Sequence, residues 1–119
     1  MQRENVRILI VDDSALIRKY LKETLNTVPG IEVVGTASNG FFALEKINEL
    51  SPDVVTLDFH MPRLDGLQTL KKIMEENPLP VIMLSSVSTK GAKLTLEALR
   101  LGAVDFMPKP TGSLVDNLR

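Results

Sequence analysis

The chain of 119 residues has no cysteine and no tryptophan. Without thiols it can form neither disulfides nor thiolate metal sites. At this length folding buries roughly two-thirds of the surface that the unfolded chain exposes, so a core alone can hold one domain together. Aromatic residues make up only 4% of the sequence, too few for a surface on which bases stack. No run of basic residues occurs and the formal net charge is −1. A nucleic-acid partner needs a positive footprint, and none is present. No apolar stretch approaches the ~20 residues that cross a bilayer, and the opening MQRENVRILIV has neither a long apolar segment nor a small-residue cleavage site. The expectation is a single cytoplasmic domain over residues 1–119, with no membrane insertion and no nucleic acid.

What is present is an alternation of two periodicities. Short runs rich in Val, Ile and Leu occupy Val6–Val11, Ile31–Ala37, Val54–Leu57, Val81–Leu84 and Ala103–Phe106. Nearly continuous apolar runs of this length suit strands covered on both faces. Between them apolar residues recur at helical spacing. Leu16, Ile17, Tyr20, Leu21, Leu25 and Val28 mark a first helix, ended by Pro29-Gly30. Leu44, Ile47 and Leu50 mark a second, with Asn39 as its cap; Leu67, Leu70, Ile73 and Met74 mark a third, opened by Asp65-Gly66-Leu67-Gln68 with the spacing of a capping box. Leu96 and Leu99 mark a fourth, closed by Gly102. Strand and helix therefore alternate, which predicts an α/β fold with a five-stranded parallel sheet, helices on both faces and right-handed crossovers. A fifth helix should follow the last strand, but Thr111–Arg119 leave room for about two turns, so it is expected to be truncated or incomplete.

In open α/β sheets, sites form beyond the carboxyl ends of the strands, where strand order reverses. The first strand ends at Asp12-Asp13, the third at Asp58, the fourth at Ser85-Ser86 and the fifth near Lys109. If the order is 2-1-3-4-5, three carboxylates meet at the switch point. Two like charges ~4 Å apart repel by roughly 4 kcal/mol at an effective dielectric of ~20, so compensation is required. Lys109 can neutralise one charge and a divalent cation more. The donors are hard oxygens and His60 is the only histidine, which points to Mg²⁺ over Zn²⁺. A carboxylate beside such an ion, a lysine and a hydroxyl suits phosphoryl transfer, with the carboxylate as nucleophile. Spacing leaves the division of labour among the acids open. The adjacent pair suits a metal, and the single acid suits attack.

These residues resemble the receiver domains of two-component response regulators. The matching motifs are VDDS at 11–14, LDFHMPRLDG at 57–66, SS at 85–86 and KP at 109–110. The resemblance implies the flavodoxin-like doubly wound sheet in the order 2-1-3-4-5. It implies Asp58 as the phosphoacceptor, taking its phosphoryl group from a histidine kinase. It further implies Mg²⁺ held by Asp12, Asp13, Asp58 and the His60 backbone carbonyl. Ser85 and Ser86 stand at the switch position, Lys109 pairs with the phosphate, Phe106 is the aromatic that reports activation, and the Lys109-Pro110 bond is cis. The stretch SSVSTKGAKLTLEALRLGAVDFMPKPTGS is similar to the receivers of chemotaxis protein-glutamate methylesterases. That finer match implies a longer protein, with a catalytic esterase domain after the receiver, a chemotaxis kinase as donor, and chemoreceptors or its own effector domain as partners. In these 119 residues no Ser-His-Asp triad can be assembled from the one histidine, so esterase activity is not expected here. The domain would catalyse only its own phosphorylation and dephosphorylation.

Each feature has a plainer reading. Asp12-Asp13-Ser14 has the composition of a helix N-cap, Ser85 could cap the next helix, and Phe106 could be core. A receiver of another output class would carry the same motifs. A flavodoxin-like cofactor module would share the fold, but its phosphate loop after the first strand would not begin with two acids. A haloacid-dehalogenase-type hydrolase would place a second Asp two residues after the nucleophile, where this chain has His60. The incomplete last helix would leave an apolar sheet face that favours self-association. Light scattering at high concentration is expected to report species larger than a monomer, and a clean monomer would refute that.

Overall fold

The structure is a computed structural model and describes residues 5–86 and 88–110. Five strands, β1 (Val6–Val11), β2 (Ile31–Ala37), β3 (Val54–Asp58), β4 (Val81–Ser85) and β5 (Asp105–Pro108), alternate with four helices among the described residues. The helices are α1 (Ala15–Asn26), α2 (Gly40–Leu50), α3 (Gly66–Glu76) and α4 (Thr89–Leu101). The strands form one parallel sheet in the order β2-β1-β3-β4-β5, as expected. A fifth helix would fall on residues 111–119, outside the described residues.

Successive strand residues point to opposite faces, and the sheet divides its core accordingly. Ile8 and Ile10 of β1 join Leu84 and pack against Ile17 and Leu21 of α1. Leu9 and Val11, with Val55, Leu57, Val81 and Met83, face the other way onto Ala43, Ile47, Leu70, Ile73 and Ala98 of α2, α3 and α4. Strands buried on both faces explain why the sequence shows continuous apolar runs rather than alternation.

The caps behave as their residue types dictate. The Ser14, Asn39 and Ser88 side chains accept the N–H groups of Ile17, Phe42 and Gly91. Asp65 and Gln68 form the reciprocal capping box that opens α3. Two sequence expectations are corrected. The last strand begins at Asp105 rather than Ala103, because the Ala103 N–H is spent on the Ala98 carbonyl (3.0 Å), closing α4 behind Gly102. On α4, Leu96 and Leu99 face outward, and the buried positions are Gly91, Thr95 and Ala98. That inward stripe is made of small residues, so apolarity alone misplaces the buried face.

The start of α3 lies directly against the carboxyl end of β3. The Gly66 N–H donates to the Phe59 carbonyl at 2.8 Å. A Cβ on Gly66 would overlap the Asp58 carbonyl and stand 2.6 Å from Phe59 Cα, both of them backbone that cannot step aside. Gly66→Ala is therefore expected to destabilise the domain by roughly 1–3 kcal/mol, read as a lower midpoint in urea unfolding. An unchanged midpoint would refute this close approach.

Candidate functional site

Strand register brings the acids together. Val11 pairs with Leu57, so the next residues, Asp12 and Asp58, stand side by side at the carboxyl ends of β1 and β3. Asp58 in turn pairs with Leu84, and Ser85 pairs with Pro108, which carries Lys109 to the same rim. The Lys109 N–H is anchored on the Ser85 carbonyl at 2.8 Å. Its ammonium donates to Asp58 Oδ2 at 2.9 Å and lies 3.7 Å from Asp12 Oδ2.

One carboxylate oxygen from each of Asp12, Asp13 and Asp58 lies within 4.8 Å of the others, Asp12 and Asp58 buried and Asp13 exposed. Asp12 is fixed from several sides. Its N–H donates to the Ala37 carbonyl, its Oδ1 accepts the Ser14 N–H at 2.9 Å, and its carbonyl accepts Arg18 Nη1 at 2.8 Å. Its other oxygen, Oδ2, is buried without a hydrogen-bond partner. Burial pushes the Asp12 carboxyl up from 3.8 to about 6, against the Ser14 N–H, which favours the charged form; the nearby Asp58 charge adds to the rise. Burial by itself would lower the Lys109 ammonium, but its hydrogen bond to Asp58 and the charges of Asp58, Asp12 and Asp13 hold it above its ordinary value.

Three carboxylates gathered within 4.8 Å, one of them with a buried oxygen that has no partner, form an arrangement that a hard dication completes. The three acids fit such an ion, with Asp13 on the open side. Lys109 already offsets part of the Asp58 charge, which leaves Asp12 with the largest unmet demand.

The other candidate residues are not all gathered there. Ser85 is buried, with its hydroxyl 2.8 Å from that of Thr95 on α4. Ser86 is exposed, and its hydroxyl pairs with that of Ser88 at 3.3 Å. Phe106 is not core. It is 49% exposed and lines an outer groove of about 460 Å³ with Thr95, Leu96, Leu99 and Pro108. His60 is exposed, two residues beyond Asp58. The expected cis bond at Lys109-Pro110 is corrected: among the described residues every peptide bond is trans. Trans is favoured intrinsically even before proline. Two residues the motifs did not single out hold the site in shape, Arg18 on the Asp12 carbonyl and Thr95 on the Ser85 hydroxyl. Only helical spacing from Ser14 could have pointed to Arg18.

A receiver domain is the class to which this sheet order, with acids, a lysine and a hydroxyl at the strand ends, points. The sequence profile described as "Response regulator receiver domain" matches residues 8–118, and the chain belongs to that family. It is 59% identical over 111 residues to a protein-glutamate methylesterase/protein-glutamine glutaminase of Archaeoglobus fulgidus, covering 93% of this chain and 32% of that protein. It is 53% identical over 114 residues to the enzyme of the same name from Oceanobacillus iheyensis, covering 96% of this chain and 32% of that one. The chain thus spans about a third of the length of these relatives. Among solved structures, the response regulator domain of Thermotoga maritima CheB superposes with a TM-score of 0.85 at 46% identity, covering 97% of this chain and 91% of that one. A CheY6 complex with the P1 domain of CheA3 from R. sphaeroides gives 0.78 at 34% identity, covering 94% and 88%. Among the described residues no helix is long and apolar enough to cross a membrane.

The strained Asp12 carboxyl predicts a pH dependence. Its proton is bound more tightly in the folded than in the unfolded chain between about pH 4 and 6, so stability falls as pH rises through that window. Without divalent cation, Asp12→Asn is expected to stabilise the domain at pH 7 by roughly 1–3 kcal/mol and to flatten this part of the pH profile. A divalent cation is expected to raise the melting temperature of the parent and not that of the variant. Thermal melts followed by circular dichroism, with and without the cation, test both; a less stable variant would refute the strain.

Proposed function

We propose that the domain is a phosphoacceptor switch in which Asp58 takes a phosphoryl group from a phosphohistidine of a chemotaxis-type histidine kinase. The supporting observation is the rim itself, where Asp58 lies 2.9 Å from the Lys109 ammonium and within 4.8 Å of Asp12 and Asp13. Asp12, Asp13, Asp58 and the His60 backbone carbonyl would hold Mg²⁺. When bound, that ion supplies positive charge to the transferring phosphoryl oxygens.

A carboxylate oxygen of Asp58 attacks phosphorus as the phosphorus–nitrogen bond of the donor breaks, and the freed imidazole takes up a proton. The product is an aspartyl phosphate. Lys109 is placed to follow the charge from the carboxylate to the phosphoryl oxygens. Asp12 carries no attacking role in this scheme, because its Oδ1 accepts the Ser14 N–H and its buried Oδ2 would be a ligand for the ion. Ser85, at the end of β4, is the hydroxyl donor for a phosphoryl oxygen. Phe106, outward here, follows Ser85 inward as the population shifts, and the face formed by α4 and β5 changes with it. A phosphoryl group biases the two states only by its differential interaction with them.

We infer further that the output is a receptor-glutamate methylesterase carried on a longer cytoplasmic protein, with this domain at its N-terminal end. The similarity to protein-glutamate methylesterases over the receiver third supports that reading. The ester hydrolysis would belong to the effector domain, regulated by Asp58, with chemoreceptors as its substrates.

Mass spectrometry after incubation with acetyl phosphate and Mg²⁺ should find one phosphoryl group on the parent and none on Asp58→Asn or after chelation. Equal labelling of Asp58→Asn would overturn the assignment. Lys109→Ala is expected to slow labelling on the order of 100-fold while leaving metal binding largely intact. A parent-like rate without the lysine would remove it from the scheme.

A further inference from the structure

The hydroxyl of Ser85 is already engaged, and not toward Asp58. Ser85 Oγ lies 2.8 Å from Thr95 Oγ1, and Thr95 Oγ1 donates to the Gly91 carbonyl at 2.9 Å. Ser85 Oγ also lies 3.3 Å from the Ser86 carbonyl. Each hydroxyl has one hydrogen. With the Thr95 hydrogen on Gly91, the Ser85 hydrogen must point at Thr95. In the other arrangement Thr95 donates to Ser85, and the Ser85 hydrogen goes to Ser86. Both arrangements direct it to α4 and the loop before it.

A threonine within a helix that bonds the carbonyl four residues back is ordinary. A second bond to the end of a neighbouring strand, between two buried hydroxyls, is an added tertiary link. Thr95 is 5% exposed and Ser85 8%. Close packing of α4 makes the link possible. A Cβ on Gly91 would collide with the Ser86 carbonyl and stand 2.6 Å from Ser86 Oγ, so only glycine lets the first turn of α4 come this near. Both hydroxyl residues also line the outer groove between α4 and β5.

We propose that Thr95 is a positioning residue whose hydroxyl latches Ser85 to α4 and must release it before Ser85 can serve a phosphoryl group on Asp58. This rests on the phosphoacceptor reading above. The latch opposes the phosphorylated state, because Ser85 cannot give its one hydrogen to α4 and to a phosphoryl oxygen together. It also ties the event at Asp58 to α4 by one breakable bond. A net intramolecular hydrogen bond is worth roughly a two- to twelve-fold factor in an equilibrium, and the latch sets the resting population by about that much.

The test is calorimetric titration of beryllofluoride, a phosphoryl mimic, in the presence of Mg²⁺. Thr95→Val keeps the shape and removes the acceptor, and should tighten binding about three- to ten-fold. Thr95→Ala should move in the same direction, whereas Thr95→Ser keeps the hydroxyl and should behave as the parent. In a Ser85→Ala background, Thr95→Val should change nothing, which a merely structural role for Thr95 would not produce. Unchanged or weaker binding by both Thr95→Val and Thr95→Ala would overturn the latch, as would a gain that persists without the Ser85 hydroxyl. If the parent binds no beryllofluoride although it folds, the phosphoacceptor reading fails and the latch fails with it; parent binding with unmoved variants sinks the latch alone.

Discussion

Two buried carboxylates placed side by side by a parallel register are the constraint around which this domain is arranged. Asp12 and Asp58 follow Val11 and Leu57, which pair across β1 and β3, so neither acid can leave without slipping the sheet. A one-residue slip would turn every side chain of the strand to the opposite face of a sheet covered on both sides. The charges are therefore held in place by the core, and the surroundings must compensate for them. Lys109 does so at 2.9 Å from Asp58, but at 3.7 Å and without a hydrogen bond to Asp12. Burial, with the Asp58 charge close by, pushes the Asp12 carboxyl up to about 6.

The elements around the rim are fitted to the same constraint. The N-terminus of α3 is pressed onto the Asp58 carbonyl through Gly66, and α4 is drawn onto the end of β4 through Gly91. The inward stripe of α4, Gly91, Thr95 and Ala98, is small enough for that approach. Its larger apolar residues, Leu96 and Leu99, are left outside beside Phe106. Ser85 itself lines the groove that these residues form, so a change at its hydroxyl bears directly on an exposed apolar surface.

Membership of the receiver family agrees with the geometry of the rim, where the register of β1, β3, β4 and β5 brings Asp12, Asp58, Ser85 and Lys109 to neighbouring strand ends. The relatives are about three times as long as this chain, and the third that it covers is the receiver. The two features that stand out in this receiver are its charged rim and the outer groove between α4 and β5. Both lie at the carboxyl ends of the strands or just beside them, where backbone groups are not committed to the sheet.

The linear sequence determined the alternation of strand and helix, the caps at Asn39 and Asp65, and the acids, hydroxyl and lysine at the strand ends. All of these are local signals, set by hydrophobic period and by which side chains can satisfy a free N–H. Its reading of β5 came two residues early, since the closing turn of α4 takes the Ala103 N–H and no composition rule reveals that. The trans geometry at Lys109-Pro110, the outward turn of Phe106, the Arg18 bond to Asp12 and the Thr95 bond to Ser85 were settled only by tertiary structure. Each depends on distances between segments far apart in the chain or on how closely α4 can approach the sheet. Those quantities follow from packing volumes and strand register, which no single stretch of sequence contains.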